Sequence, residues 1–222
     1  RAGGGGNGTY RYKLDSDLTS GATETLGTSY TPGSGISEAS HTLYVQERDA
    51  AGNWSSSGSR TIVIDTTAPT APSVSGTTPT NDPTPTWSWS AGGGGNGTYR
   101  YKLDSSDLTS GATQTTSTSY TPGSGISEAS HTLYVQERDA AGNWSSSGSR
   151  TIVIDTTAPT ANFTAATDNV GTVTGALTSG NTTDDTALVL SGTNEAGSSV
   201  KVYNGSTELG AATVSGTSWI YS

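Results

Sequence analysis

HTLYVQERDAAGNWSSSGSRTIVIDTTAPTA occupies residues 41–71 and occurs again, unchanged, at residues 131–161. Extended outward, residues 28–71 and 118–161 match position for position. Such fidelity makes the chain an array of repeats, and the period frames every local reading. Each copy predicts two strands around a polar turn. In the second copy Leu133, Tyr134 and Val135 begin a strand that runs to Arg138. Residues 139–143 (DAAGN) form the turn, and Trp144 lies just past it. Residues 149–155 return as a second strand that sets Ile152 and Ile154 on one face. The segment TTAP, ending at Pro159, then leaves the strand, because proline offers no amide hydrogen to a ladder.

Working outward, residues 70–157 read as one complete repeat. Pro72 opens a short first strand, PSVS, and Asn81-Asp82-Pro83 carries turn chemistry. Residues 84–90 (TPTWSWS) alternate and place Trp87 and Trp89 on one face. After the glycine-rich stretch 91–97, residues 98–103 alternate again, with Tyr99, Tyr101 and Leu103 together and Arg100 and Lys102 opposite. Residues 113–120 predict a weak polar strand. No stretch of useful length has a 3.6-residue apolar period. Six or seven short strands in such a segment suggest an all-β, two-sheet sandwich of immunoglobulin or fibronectin type III kind. Residues 1–69 start in register with Ser90, so this repeat is expected to lack its first strands. Residues 158–222 differ in sequence and contain TALVLSGT, NEAG, SVKVYN and TSWIYS, but no counterpart of the ERDAAGN hairpin. They read as an incomplete repeat of another subtype, leaving the middle repeat as the one expected to be stable alone.

Composition narrows the function. The chain is 30% hydrophobic and 13% charged, with no Cys and no Met, and the missing Met predicts a fragment or a processed product. No apolar run is long enough to cross a bilayer as a helix, and nothing resembles a signal peptide. A net charge of −9 argues against nucleic acid, whose phosphates demand a basic surface, and permits cations as partners. Zero Cys excludes disulfides and thiolate metal sites. Abundant Ser, Thr and Gly raise the rival of disorder, but the five Trp and ten Tyr recur at alternating positions inside recognisable strands.

The DAAGN turn followed by the DTTAP linker resembles the bacterial immunoglobulin-like repeats of very large surface adhesins, including biofilm-associated and RTX-type adhesins. Residues 167–210 (TDNVGTVTGALTSGNTTDDTALVLSGTNEAGSSVKVYNGSTELG) resemble them too. The resemblance covers nearly the whole chain. It implies a secreted, rod-like extender array at the bacterial cell surface that binds calcium near domain junctions. The glycine-aspartate nonapeptide of RTX proteins does not occur, so a secretion region is expected elsewhere.

Other motifs weigh little. Gly92, Gly94 and Gly97 match G-x-G-x-x-G, but the dinucleotide motif must open a helix and this one precedes the strand TYRYKL. A flexible inter-strand loop is the better reading. His41 and His131 are one position in two copies, with no second ligand at metal spacing. No Ser lies in a nucleophile-elbow context. Acidic residues recur in each copy, as structural sites do and catalytic ones rarely do, so enzyme activity is not expected. The Trp and Tyr pairs are expected in the core, and Trp144 at one end of the sandwich.

Acidic loop residues carry the functional reading. In the sandwich topology, loops at facing poles of consecutive domains would meet. At the first junction this gathers Glu38, Asp65 and Asp139 with Asn143 nearby; Asp49 is the counterpart of Asp139 in the first copy. At the second it gathers Asp82, Glu128, Asp155 and Glu195. Oxygen ligands crowded at a hinge suit calcium, which takes six to eight of them in flexible geometry. Asp168, Asp184 and Asp185 match acidic positions of the adhesin family and are further candidates. The expectation is a non-enzymatic, calcium-stiffened extender that projects a distal binding domain, whose ligand is not in this segment. The alternative is an accessory carbohydrate- or ligand-binding module of a secreted enzyme, which an exposed aromatic row would favour.

Overall fold

The computed structural model describes residues 5–172 and 174–222. Among them there is no helix, and every sheet is antiparallel. The chain divides into one compact unit ending at Asp155 and a second over Thr156–Ser222.

In the first unit, repeat 1 contributes β1 (Gly6–Leu14), β2 (Thr23–Thr25), β3 (Ala39–Asp49) and β4 (Gly58–Ile64), in the order β2-β1-β3-β4. Repeat 2 contributes β5 (Ser73–Ser75), β6 (Trp87–Ser90), β7 (Thr98–Leu103), β8 (Thr113–Thr115), β9 (Ser119–Tyr120), β10 (Ser130–Arg138) and β11 (Gly148–Val153). These make a three-stranded sheet, β5-β6-β9, and a four-stranded one, β11-β10-β7-β8. The four-stranded sheet thus repeats the order of repeat 1.

The two sheets of repeat 2 share one core. Trp87 and Trp89 from the small sheet pack with Tyr99, Leu133, Val135 and Ile152 from the larger one and with Ile154 just past β11. Period-two alternation is the cause: successive strand side chains point to opposite faces, so the apolar set of each strand is buried together. Aromatic rings meet edge-on or tilted, with Trp89 5.9 Å from Tyr99 and Tyr101 4.9 Å from Tyr120, the offset geometries that ring quadrupoles favour.

Three local expectations need correction. The strand expected over residues 84–90 begins only at Trp87, because Pro83 and Pro85 cannot donate to a ladder. The single strand expected over residues 113–120 is two strands in different sheets. The Ser117 amide donates to Thr115 Oγ1 at 2.9 Å, turning the chain so that β8 pairs with β7 and β9 with β6. Trp144 does not close an end of the sandwich. It lies flat beneath Arg100, whose Cζ is 4.3 Å from the ring centroid, with Arg138 at 5.8 Å, a cation–π stack on the outer face.

The second unit carries β12 (Ala161–Asp168), β13 (Gly175–Leu177), β14 (Val189–Asn194), β15 (Lys201–Asn204), β16 (Thr207–Ala211), β17 (Thr213–Ser215) and β18 (Ser218–Tyr221). Five form the sheet β13-β12-β14-β18-β17, and β15 and β16 form a hairpin. Its core is small, built on Val200, Val202 and Trp219.

Candidate functional site

The pole of repeat 2 that receives the linker from repeat 1 brings together the largest share of the expected site residues. The alternation of β10 continues past Leu133 and Val135 into Glu137 and Asp139, so both carboxylates point inward; they are 1% and 4% exposed. Asp139 is held by its own turn. Its Oδ1 accepts from the amides of Gly142 at 2.6 Å and Asn143 at 2.8 Å, and its Oδ2 accepts from Asn143 Nδ2 at 2.8 Å. Burial pushes this carboxyl up, but the donors of Asn143, Gly142 and Ala141 outweigh it and hold the group below the usual range. Asn143 then spends its second amide proton on the repeat 1 linker, donating to the Asp65 main-chain carbonyl at 3.1 Å.

The glycine-rich segment 92–97 completes the pole and is not the loose loop expected. A side chain at Gly95 would overlap the Glu137 carboxylate, and one at Gly92 the carbonyls of Thr70 and Ala71. Glycine is therefore required where carboxylate and linker approach the backbone closely. The Gly92 amide donates to Glu137 Oε2 at 3.3 Å. The Tyr99 hydroxyl is pushed up first by burial and then by the Glu137 carboxylate it faces. Asn96 donates through Nδ2 to the Asp139 carbonyl at 2.8 Å, and the Thr70 amide donates to Gly93 O at 3.0 Å. Pro69 is buried at this seat, beside Gly94.

On the repeat 1 side, Glu38 accepts from the hydroxyls of Thr66 at 2.7 Å and Thr67 at 2.5 Å. Those hydroxyls, Thr67 first, hold its carboxyl below the usual range. Asp65 Oδ1 accepts from the Thr67 amide at 3.1 Å. The linker is therefore fastened at both ends, by Glu38 behind it and by Asn143 and Gly93 ahead. Asp49, the counterpart of Asp139, makes the same turn, accepting from Asn53 N at 2.8 Å and Asn53 Nδ2 at 3.0 Å.

Asp82, Asp168 and Asp185 each hold a turn of their own. Asp82 Oδ1 accepts from the amide of Thr84 at 2.8 Å and its hydroxyl at 2.9 Å, closing a turn. Asp155 donates its amide to Thr80 O at 2.9 Å, and Glu128 lies in the loop ahead of β10. In the second unit the Glu195 carbonyl accepts from the Ser198 amide at 3.1 Å. Asp168 accepts from Thr183 Oγ1 at 2.6 Å and the Val170 amide at 3.0 Å, and these donors hold it below the usual range. Asp185 accepts from the amides of Asn169 at 3.1 Å and Ala187 at 2.7 Å. Asp184 is exposed beside Gly171.

For calcium, the donor chemistry at the first junction fits: carboxylate, amide and main-chain oxygens are what the ion takes. The grouping is another matter. The Asp139 carboxylate is engaged by its own turn, and what reaches Asp65 is the amide of Asn143. Among the described residues no three acidic or histidine side chains gather where one ion could bind them.

One constellation escaped the sequence reading. His131 Nδ1 lies 2.7 Å from Asp104 Oδ2, and its Nε2 lies 3.2 Å from Ser127 Oγ, a Ser–His–Asp order of contacts repeated by Ser37, His41 and Asp15. His131 Nε2 is also 3.0 Å from the Ser127 main-chain carbonyl. The Asp104 contact raises the imidazole above its ordinary value, so the group staples a loop to a turn.

The aromatic rings of repeat 2 do not form an exposed row: Trp87, Trp89 and Tyr99 are all buried. Compared with known proteins, the chain matches no family model and no curated protein sequence.

Proposed function

We propose that this chain is a non-enzymatic spacer, a run of immunoglobulin-like sandwich repeats joined end to end within a bacterial surface adhesin, where it holds a distal binding domain away from the cell. The observation that carries the reading is the gripped linker: Asn143 donates to the Asp65 carbonyl at 3.1 Å and Thr70 to the Gly93 carbonyl at 3.0 Å. A tether that merely joined independent modules would need no such bonds. A spacer does, because each removes bending freedom at the hinge. The order β11-β10-β7-β8 over β5-β6-β9 supports the sandwich, and the recurrence of DAAGN and DTTAP in both copies supports a junction used repeatedly. The extracellular setting and biofilm role rest on the resemblance of those motifs to adhesin repeats. Calcium stiffening rests on donor chemistry alone and is a separable part of the proposal.

The absence of Cys makes the test clean. Spin labels at Glu24→Cys and Thr116→Cys, both exposed positions, report the distance between the repeats. The distribution should be narrow, and Asn143→Ala should broaden it while repeat 2 stays folded. An equally broad distribution before and after the substitution would refute the spacer. Calcium followed by chelator reads the other part: reversible narrowing supports a junction ion, and superimposable distributions remove calcium from the mechanism.

A further inference from the structure

Seven of the ten asparagines open the triplet Asn-x-Ser or Asn-x-Thr with no proline between. Four are two positions in two copies, Asn7 with Asn96 and Asn53 with Asn143, and three lie in the second unit, at Asn162, Asn181 and Asn204. The triplet is the acceptor motif for N-linked sugars. Ser and Thr fill a third of the chain, so the motif arises readily and by itself selects nothing. The state of each side-chain amide in the fold does select.

The four copied asparagines are engaged. Asn143 Nδ2 donates to Asp139 Oδ2 at 2.8 Å and to the Asp65 carbonyl at 3.1 Å, and Asn53 Nδ2 donates to Asp49 Oδ2 at 3.0 Å. Asn96 Nδ2 donates to the Asp139 carbonyl at 2.8 Å, and Asn7 Nδ2 to the Asp49 carbonyl at 3.2 Å. A sugar on any of these nitrogens would disturb a turn or the linker seat.

The other three are exposed, and among the described residues none of their Nδ2 groups has a protein partner. Asn181 uses only its oxygen, which accepts from the Thr178 amide at 2.6 Å and hydroxyl at 2.8 Å. Asn162 is fixed through its main chain, opposite Thr193 and with its carbonyl accepting from Trp219 Nε1 at 3.2 Å. Asn204 is the most accessible. It ends β15 opposite Thr207, at the two-residue turn Gly205-Ser206, where Gly205 has a φ of +61° that glycine adopts without strain. Glu208 braces the hairpin, accepting from Lys201 Nζ at 3.0 Å and from the Tyr203 hydroxyl at 3.3 Å. All of residues 203–209 are exposed, so the acceptor amide sits at a firm, open tip.

We propose that Asn204 is an N-glycosylation site of the folded chain, with Asn162 and Asn181 as further acceptors, modified by a transferase that uses a sugar diphosphate donor. Asn204 Nδ2 bonds to the anomeric carbon as the bond from that carbon to the diphosphate oxygen breaks. The diphosphate leaves with the electron pair, and one amide proton passes to a base of the transferase. At the tip the sugar adds hydrated bulk beside Tyr203 and Leu209, 52% and 47% exposed, and hinders their association with other chains. The inference does not rest on the spacer reading.

The test is peptide mass spectrometry on the whole chain isolated from the cells that make it, with electron-transfer fragmentation to keep each sugar on its residue. Sugar is expected on Asn204 and absent from Asn53 and Asn143. A single sugar marks a nucleotide-linked donor, and a preassembled oligosaccharide a lipid-linked one. Ser206→Ala, at an exposed turn position, should abolish the modification of Asn204 and leave that of Asn162 unchanged, whereas Ser206→Thr should keep both. An unmodified Asn204 would overturn the proposal, as would sugar confined to Ser and Thr hydroxyls or sugar retained at Asn204 in Ser206→Ala. Equal occupancy of Asn143 would overturn it too, by showing that the bonds of the amide in the fold do not select the acceptor.

Discussion

Ile62 and Ile152 lie in identical sequence, yet truncating each to alanine should give very different results. Ile152 is 0% exposed, beneath the β5–β6 segment, and so close to Gly76 that a β-carbon there would come within 2.6 Å of its Cδ1. Alanine removes three carbons, a transfer loss of roughly 2.4 kcal/mol at about 0.8 kcal/mol each. A wall built of Trp87, Leu133 and Ile154 cannot collapse fully into the gap, so a cavity term adds and the total falls at about 2–5 kcal/mol. For a domain of this size each kcal/mol lowers the melting temperature by roughly 4–8 °C. A loss of about 3 kcal/mol therefore lowers it by at least about 12 °C. Ile62 is 59% exposed, and its truncation should cost less than about 0.5 kcal/mol. Urea unfolding followed by near-ultraviolet circular dichroism reads chiefly repeat 2, because the largest aromatic cluster, Trp87, Trp89, Tyr99, Tyr101 and Tyr120, packs there. Equal midpoints for the two variants would refute the argument that the β5–β6 cover, and not local sequence, makes repeat 2 a domain.

Gly95→Ala should destabilise repeat 2 by about 1–3 kcal/mol through overpacking against the buried Glu137 carboxylate, measured in the same urea assay. Gly6→Ala meets the half-buried Glu47 and should cost less. The His131–Asp104 contact raises the imidazole in the folded state, so its contribution is complete below the unfolded value of about 6.5 and is lost as pH rises through the folded one. Stability should therefore fall as pH rises from the unfolded value through the raised folded one, with His131→Gln flattening that slope. The Asp139 carboxyl is held low, so its contribution is present above the unfolded value of about 3.9 and disappears as pH falls through the folded one. Acid unfolding of Asp139→Asn should lack that component.

Alternation made most of repeat 2 legible. Trp87 and Trp89, Tyr99 and Tyr101, Leu133 and Val135, and Ile152 and Ile154 each share a face in sequence and all lie in one core. The same rule, carried two residues further, points Glu137 and Asp139 inward as well. Reading Asp139 as a loop acid stopped the pattern short of it. The Trp144 stack had its signal too: Arg100 faces outward on β7 opposite the tyrosines, where a guanidinium and an indole can meet. The division of residues 113–120 between two sheets had none, because Thr and Ser suit either sheet and the choice follows from tertiary pairing. Nor could sequence reveal that Asn143 would turn its amide to Asp65 while Asp139 turned inward, since both types serve equally as ion ligands and turn formers.

The chemistry of the linker seat explains how one sequence can be copied along an array. From the linker it uses the Asp65 carbonyl and the Thr70 amide, main-chain groups that any residue except proline can offer at the amide. From repeat 2 it uses the Gly93 carbonyl and one side chain, Asn143, already locked by Asp139. Because Asp139 fixes Asn143 before any linker arrives, little side-chain freedom is lost on docking, which is where preorganisation adds to affinity. The first copy carries the same preset pair, with Asn53 held by Asp49 at 2.8 and 3.0 Å. Replacing Asp139 by alanine should thus act at a distance, freeing Asn143 to rotate and loosening the linker although Asp139 itself makes no bond to it. Spin-label distributions should broaden with Asp139→Ala as they do with Asn143→Ala, and the double variant should add little, as expected of residues acting in series. Additive broadening would show instead that the two hold the junction independently.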